Sequence, residues 1–326
     1  MSGVEHWFDE SSSDGTTLDL LSFDFAANPR LRFELFDSDL DATKRSKSES
    51  NRFAYWNSGV GKVAKQLNSN NDLVAAWNGG YWGLLNRKPR TADRSFHLSP
   101  IVYDGKIYYQ GLNRRWTWGA KIKNGRPIFS LQHTPKNDGL LRDFDFATGT
   151  LQALLKDGQP LEVAPYPWFG EKPLPGGLPS TSKQAGAISV LDHMHTSRVG
   201  AGWTKSGRLF VLVVKEPDGE APSRAAVNSR KRGRGGWTLR DHQNFWLAMQ
   251  KTLDVQNAVG LDGGDVAQAV FRRGDGDFTV LVPRISLPEE EKATLRLKSK
   301  PNFEGENVKN LHGGALNYFV IRQNSN

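Results

Sequence analysis

Residues 257–271 read NAVGLDGGDVAQAVF, an apolar run that ends on Asp262 and is followed by Gly263 and Gly264. The same grammar stands in DLVAAWNGGYW, residues 72–82, where Asn78 closes the apolar run and Gly79 and Gly80 precede Tyr81 and Trp82. A third stretch, HTSRVGAG, opens a strand on Arg198. A carboxylate, an amide and a guanidinium, each at a strand end beside glycine, would suit an anionic or sugar-like ligand. Glycine removes side-chain bulk and exposes N–H donors. Arginine clamps phosphate or carboxylate in a fork, and aromatic faces pack on sugar rings. Structural readings stand beside these: an Asx-bonded turn for Asp262, a self-bonded turn for Asn78, and a surface ion pair for Arg198.

The elements that must position these groups are mostly strands. Asp104-Gly105, Asn124-Gly125, Asp157-Gly158, Ser206-Gly207 and Asp218-Gly219 sit beside apolar or β-branched runs, the signature of two-residue hairpin turns. LDLLSFDF and LRFELF near the start read as two further strands. Helices are few. SGVGKVAKQLNSN (58–70) places Val60, Val63, Ala64 and Leu67 on one face. WTLRDHQNFWLAMQKTL (237–253) starts with Thr238 as N-cap and Asp241 at the capping-box position. Its core face is Leu239, Phe245, Trp246, Met249 and Leu253. Residues 164–185 and 216–236 read as long loops, a class that often forms sites. The expectation is a single α+β domain over 16–326, of mixed and mostly antiparallel β-sheets with a few packed helices. Residues 1–15 read as a flexible acidic, Ser-rich tail.

Composition narrows the class. The chain has 326 residues, 33 glycines, 10 tryptophans and no cysteine, which excludes disulfides and thiolate metal sites. Its formal charge of +8 permits an anionic partner. The longest aliphatic run, LFVLVV (209–214), is too short to span a bilayer. The first fifteen residues lack the basic and apolar regions of a secretory signal.

Taken together, WNGGYW, SRVGAGWTKSGRLFVLVV and GGWTLRDHQNFWLAMQKTLDVQNAVGLDGGD follow one another in an order that resembles the phosphodiester glycosidase family. That family carries NGGYF-like, RTAIG-like and NALNLDGGGS-like segments in the same succession. The resemblance runs loosely from residue 17 to the end and rests on the three motifs jointly. It implies a hydrolase that cleaves a glycosidic bond at the anomeric carbon, with a sugar-1-phosphodiester as substrate. This chain departs from the family after LDGG, where Asp265, Val266 and Ala267 replace the usual Gly-Ser-Ser.

Cleaving a sugar–phosphate C1–O bond builds oxocarbenium character on the ring and negative charge on the departing phosphate. A phosphate monoester has its second pKa near ~6, so the demand for a strong general acid falls and Arg198 could stabilise the departing charge. Asp262 is then nucleophile, base to water, or electrostatic partner of the cation. An ordinary glycoside leaves less readily and needs two carboxyls, roughly 5 Å apart for retention and farther for inversion. Asp262 with Asp265 would supply them, with Glu216 and Glu220 in reserve. The expected catalytic set is therefore Asp262, Arg198, Asn78 and Asp265. Gly79, Gly80, Tyr81, Trp82, Gly263, Gly264, His193 and His195 are the expected substrate contacts. His193 and His195 with Asp192 offer a metal no third ligand at fitting spacing. No cofactor is required, although a divalent cation beside Asp262 and Asp265 is compatible with the sequence. Two other classes stay open: a non-catalytic glycan- or anion-binding module, and a nucleic-acid binder using the basic run 229–240. The second ranks last because lysine and arginine are dispersed rather than striped along one element.

Overall fold

The computed structural model describes residues 1–37, 60–80, 82–84, 95–97, 99–111, 116–133, 139–150, 152–161, 163, 195–217, 219–220, 235–281, 285–286 and 315–324. The chain opens with strands β1 (Val4–Asp9), β2 (Thr17–Phe23) and β3 (Leu31–Asp37). Helix α1 (Val60–Leu67) leads into β4 (Leu73–Asn78), β5 (Trp82–Leu84) and β6 (Ser95–His97). Then come β7 (Ile101–Tyr103), β8 (Lys106–Tyr109), β9 (Trp116–Lys123), β10 (Arg126–His133) and β11 (Phe146–Gly149). The middle of the chain forms β12 (Gln152–Lys156), β13 (Gln159–Pro160), β14 (Arg198–Thr204), β15 (Leu209–Lys215) and β16 (Gly219–Glu220). Helix α2 (Leu239–Leu253) precedes β17 (Val255–Gly260), β18 (Ala269–Arg272), β19 (Phe278–Leu281), β20 (Ile285–Ser286) and β21 (Asn317–Gln323).

Mostly antiparallel sheets with few helices result. A seven-stranded sheet runs β1-β2-β15-β14-β17-β12-β13, and two five-stranded sheets run β19-β18-β4-β21-β3 and β10-β9-β11-β7-β8. Among the described residues the short pair β16–β20 is parallel and every other pairing is antiparallel. Turn chemistry explains the hairpins. Asp104, Asn124 and Asp157 adopt φ near +50°, each followed by a glycine at positive φ, the backbone that two-residue turns of twisted strands demand. Gly219, expected in a further hairpin, instead enters the parallel β16–β20 pair.

Alternating residues on the inner faces make one core. Trp118 of β9 lies where the three large sheets meet, with ring centroids 4.4 Å from Phe319 and 5.6 Å from Trp203. Phe33 and Trp77 continue the aromatic cluster across β3 and β4. On the outer faces, α1 packs Val60, Val63 and Leu67 against the β4–β21–β18 surface. Helix α2 lays Trp246 on Phe210, Leu212, Val214 and Ala258. The capping box expected at its start is present, with Thr238 Oγ1 accepting from Asp241 N–H and the Asp241 carboxylate accepting from Thr238 N–H.

Residues 1–15 depart from the expected tail. Val4–Asp9 pairs along β2 as an edge strand. Its apolar side chains Trp7 and Phe8 are 42% and 54% exposed, so no in–out alternation betrayed it.

Trp118→Ala is expected to lower the unfolding free energy by about 3–5 kcal/mol. Urea denaturation, compared at unchanged denaturant slope, measures the loss.

Candidate active site

Strand β17 is central in the seven-stranded sheet, and the chain must leave it to reach β18 in another sheet. The crossing is the 262–268 segment. Its start lies along β14: Leu261 N–H donates to Val199 O at 2.8 Å, and Gly264 N–H to Ser197 O at 2.9 Å. This close approach explains Gly263, because a Cβ there would meet Ser197 O at 2.9 Å and the Arg198 Cδ and Nη1 at 3.6 Å. Asp262 stays 8% exposed and its Oδ1 accepts the Gly263 N–H at 2.9 Å.

Asn78 holds both ends of this crossing. Its Nδ2 donates to Asp262 O and its Oδ1 accepts from Gln268 N–H, each at 2.9 Å. Gln268 in turn accepts the Val60 N–H at the start of α1. The structure therefore brings Asn78 to Asp262, but it binds the amide to backbone rather than turning it toward a ligand.

The second elbow is built alike. Gly79 N–H donates to Asn317 O at 3.0 Å and Gly80 N–H to Asn317 Oδ1 at 2.8 Å. A Cβ on Gly79 would fall 2.0 Å from Asn317 Oδ1, and one on Gly80 would fall 2.4 Å from Thr148 Oγ1 and 2.8 Å from Gly149 O. The expectation that these four glycines expose N–H donors is thus corrected. Each N–H already has a protein acceptor; Gly79, Gly80 and Gly263 serve close packing, and Gly264 supplies a backbone at φ +67°. Asn317 gave no sequence signal, being one polar residue near the end of a chain of 326. Its register partner Asp37 pairs with His97 at 3.1 Å, a second buried polar contact that spacing alone did not reveal.

Arg198 is 1% exposed, which removes the surface ion-pair reading. Its Nε donates to Trp237 O at 3.0 Å, just ahead of α2. Beside it, Glu216 Oε2 accepts from Thr196 Oγ1, Ser197 N–H and Ser197 Oγ at 3.0–3.2 Å. The reserve carboxylate is thus committed to pinning the entry to β14. His195 is exposed, and its Nδ1 lies 3.1 Å from Gly236 O. A carbonyl can only accept, so Nδ1 carries a hydrogen and donates it to Gly236 O. Ser197, two residues on, holds Gly264, which puts His195 on the same lip as the Asp262 turn. Tyr81, His193 and the side chains of Trp82, Glu220 and Asp265 lie outside the described residues, as do Asp192 and residues 229–234 of the basic run. Among the described residues no three His, Asp or Glu side chains gather as a metal site requires.

One titratable group escaped the sequence reading. His242 of α2 is fully buried against β14 and β17. Burial, reinforced by the Arg198 charge, pushes its pKa down to about 3.

Where the sheets meet, the site thus gathers the carboxylate of Asp262, a guanidinium beneath a glycine and, nearby in the chain, the exposed ring of His195. The phosphodiester glycosidase family model matches residues 71–293, well over half of the chain. The catalytic domain of zebrafish N-acetylglucosamine-1-phosphodiester α-N-acetylglucosaminidase, auto-inhibited by its pro-peptide, shares the fold at a TM-score of 0.57 and 14% identity. The match covers 99% of this chain and 83% of that one. A hypothetical protein from Synechocystis matches at a TM-score of 0.55 and 9% identity, over 98% of this chain and 62% of its own. No curated protein matches the chain in sequence. Among the described residues no helix is long and apolar enough to cross a membrane.

Two outcomes follow from the geometry. Asn78→Ala removes the side-chain partner of a buried carbonyl and of a buried N–H and should cost about 2–6 kcal/mol, at roughly 1–3 kcal/mol per lost partner, read by urea denaturation. His242 takes up a proton at its ordinary pKa of 6.5 in the unfolded chain but only at about 3 in the folded one. Its contribution is therefore intact above pH 6.5 and declines as pH falls toward 3, by up to roughly 1.4 kcal/mol per pH unit. Denaturation across this range should show a slope smaller by nearly one proton in His242→Leu than in the parent.

Proposed function

The chain belongs to the phosphodiester glycosidase family, whose members act on phosphodiester-linked sugars, and on that premise we propose that it hydrolyses the C1–O bond of a sugar-1-phosphodiester. The observation that carries this reading is the pairing of a rim carboxylate, Asp262, with a guanidinium lying 3.6 Å from the Cβ position of Gly263. One carboxylate and one buried cation match a reaction whose leaving group is already an anion. Plain glycoside hydrolysis would ask for two carboxyls; Glu216 is bound to Thr196 and Ser197, which leaves Asp265 as the second carboxylate of that reading. The reading treats the chain as one α+β domain with one such site.

In this mechanism the bond from C1 to the phosphate oxygen breaks with its electron pair leaving on the phosphate. Positive charge develops on the ring, where the Asp262 carboxylate stabilises it. Arg198 acts on the departing phosphate through its field. A guanidinium removed from water is screened less than a surface one, and the bare backbone of Gly263 lets it come near without a side chain between. Water adds to C1 and gives its proton to Nε2 of His195, whose Nδ1–H is oriented by the Gly236 carbonyl. Asn78 acts through the Asp262 main chain rather than on the sugar. Substrate contacts by Tyr81, Trp82 and His193, and a second carboxylate at Asp265, remain parts of the proposal carried from sequence.

Screening sugar-1-phosphodiesters beside a glycan panel, with product anomers followed by NMR, tests the assignment. Turnover of the phosphodiesters is expected, and turnover of glycans alone would refute it. Asp262→Asn should lower kcat by about 100-fold or more, the scale of a lost catalytic group, with circular dichroism unchanged. Undiminished activity in that variant would remove Asp262 from the mechanism, and ligand binding without turnover by the parent would favour a binding module.

A further inference from the structure

Helix α2 turns two side chains onto glycines of β14. Trp246 covers Gly202, where a Cβ would fall 2.6 Å from the ring. One turn earlier His242 covers Gly200, where a Cβ would fall 2.2 Å from Nε2, and it reaches within 3.7 Å of the Cβ position of Gly260. Gly200 and Gly260 are register partners. Gly200 lies two residues from Arg198 on the same face of β14, and Gly260 ends β17 two residues before Asp262. A tryptophan suits such a place. A histidine does so less well, because neither ring nitrogen has a hydrogen-bond partner among the described residues, and a buried polar group left unpaired destabilises the fold.

What distinguishes the position of His242 is the neighbouring cation. Arg198 is buried, and a buried charge needs polar company to offset its lost hydration. Trp237 O supplies one partner at Nε. A neutral imidazole supplies a dipole whose lone-pair nitrogen is its negative end, and the Arg198 charge in turn helps keep the ring unprotonated. A leucine would fill the same space without that dipole.

We propose that His242 is a positioning residue for Arg198: its imidazole, seated on Gly200 two residues along β14 from Arg198, backs the guanidinium from the helix side. The catalytic consequence rests on the role given to Arg198 above. The placement of the guanidinium does not.

The test uses the full chain with His242→Leu, His242→Gln, Arg198→Ala and the double variant His242→Leu/Arg198→Ala. By NMR, the Arg198 Nε–H should exchange with solvent about tenfold faster or more in His242→Leu, a loss of order 1.4 kcal/mol in protection, and recover in part in His242→Gln. On a sugar-1-phosphodiester, His242→Leu should lower kcat roughly tenfold at near-constant KM, and it should add nothing once Arg198 is alanine. Unchanged Nε–H exchange overturns the proposal whether or not the protein turns over such substrates. A loss of kcat that persists in full without Arg198 assigns His242 to packing and overturns it equally. Should the leucine variant fail to fold, His242→Phe, which keeps a ring and removes both nitrogens, carries the same two readouts. Failure of the parent to cleave any sugar phosphodiester counts against the proposed function alone.

Discussion

The side chain of Asn78 makes two hydrogen bonds on which the site depends. One goes to the carbonyl of Asp262 and one comes from the N–H of Gln268, each at 2.9 Å. Between those atoms the chain passes from the seven-stranded sheet to a five-stranded one. A crossing between sheets has no ladder partner for its backbone groups, and buried backbone groups must be paired. Asparagine can donate and accept at once from a short stem, so one residue satisfies both ends of the gap. It also fixes where the Asp262 carboxylate emerges. Asn317 repeats the solution at the other elbow, accepting from Gly79 with its backbone and from Gly80 with its side chain.

Glycine is the complement of these amides. Had Gly79 or Gly263 carried a side chain, Asn317 Oδ1 or Ser197 O would occupy the space it needs. The same holds deeper in the sheet, where Gly200 and Gly202 admit His242 and Trp246. The glycine-rich strand β14 is therefore a surface shaped for α2. Packing there and the placement of the strand's first residue, Arg198, depend on the same helix, since Trp237 O just before it accepts from the Arg198 Nε.

Electrostatically the site gathers ionisable groups out of water: Arg198, Glu216 and, in neutral form, His242. Burial of this kind lowers stability unless each group finds partners. The three donors on Glu216 Oε2 meet that requirement while locking Thr196 and Ser197 in line with Arg198. Sites whose charges are held in place before substrate arrives spend no reorganisation at the moment of reaction. This is the physical sense in which the strand ends are prepared for a charged substrate.

Sequence alone determined many of the hairpins and both helices, because those depend on local rules, while β1 and the β16–β20 pair escaped it. Asx-Gly pairs demand a positive-φ turn, Thr238 and Asp241 cap a helix, and apolar alternation marks β2, β3 and β14. It also showed that Asn78 and Asp262 stand at strand ends, since each closes an apolar run before a glycine pair, and that Arg198 opens a glycine-rich strand. Tertiary structure decided what those groups touch. Asn78 turned from ligand contact to backbone clamp, the glycines from N–H donors to sites of close approach, and Glu216 from reserve acid to anchor. Asn317 and His242 became visible only once sheets met, for a single polar residue in a strand or helix carries no pattern until its neighbours across space are known. Hydrogen-bond partners hundreds of residues apart, and burial by elements from other sheets, are not written into any local stretch.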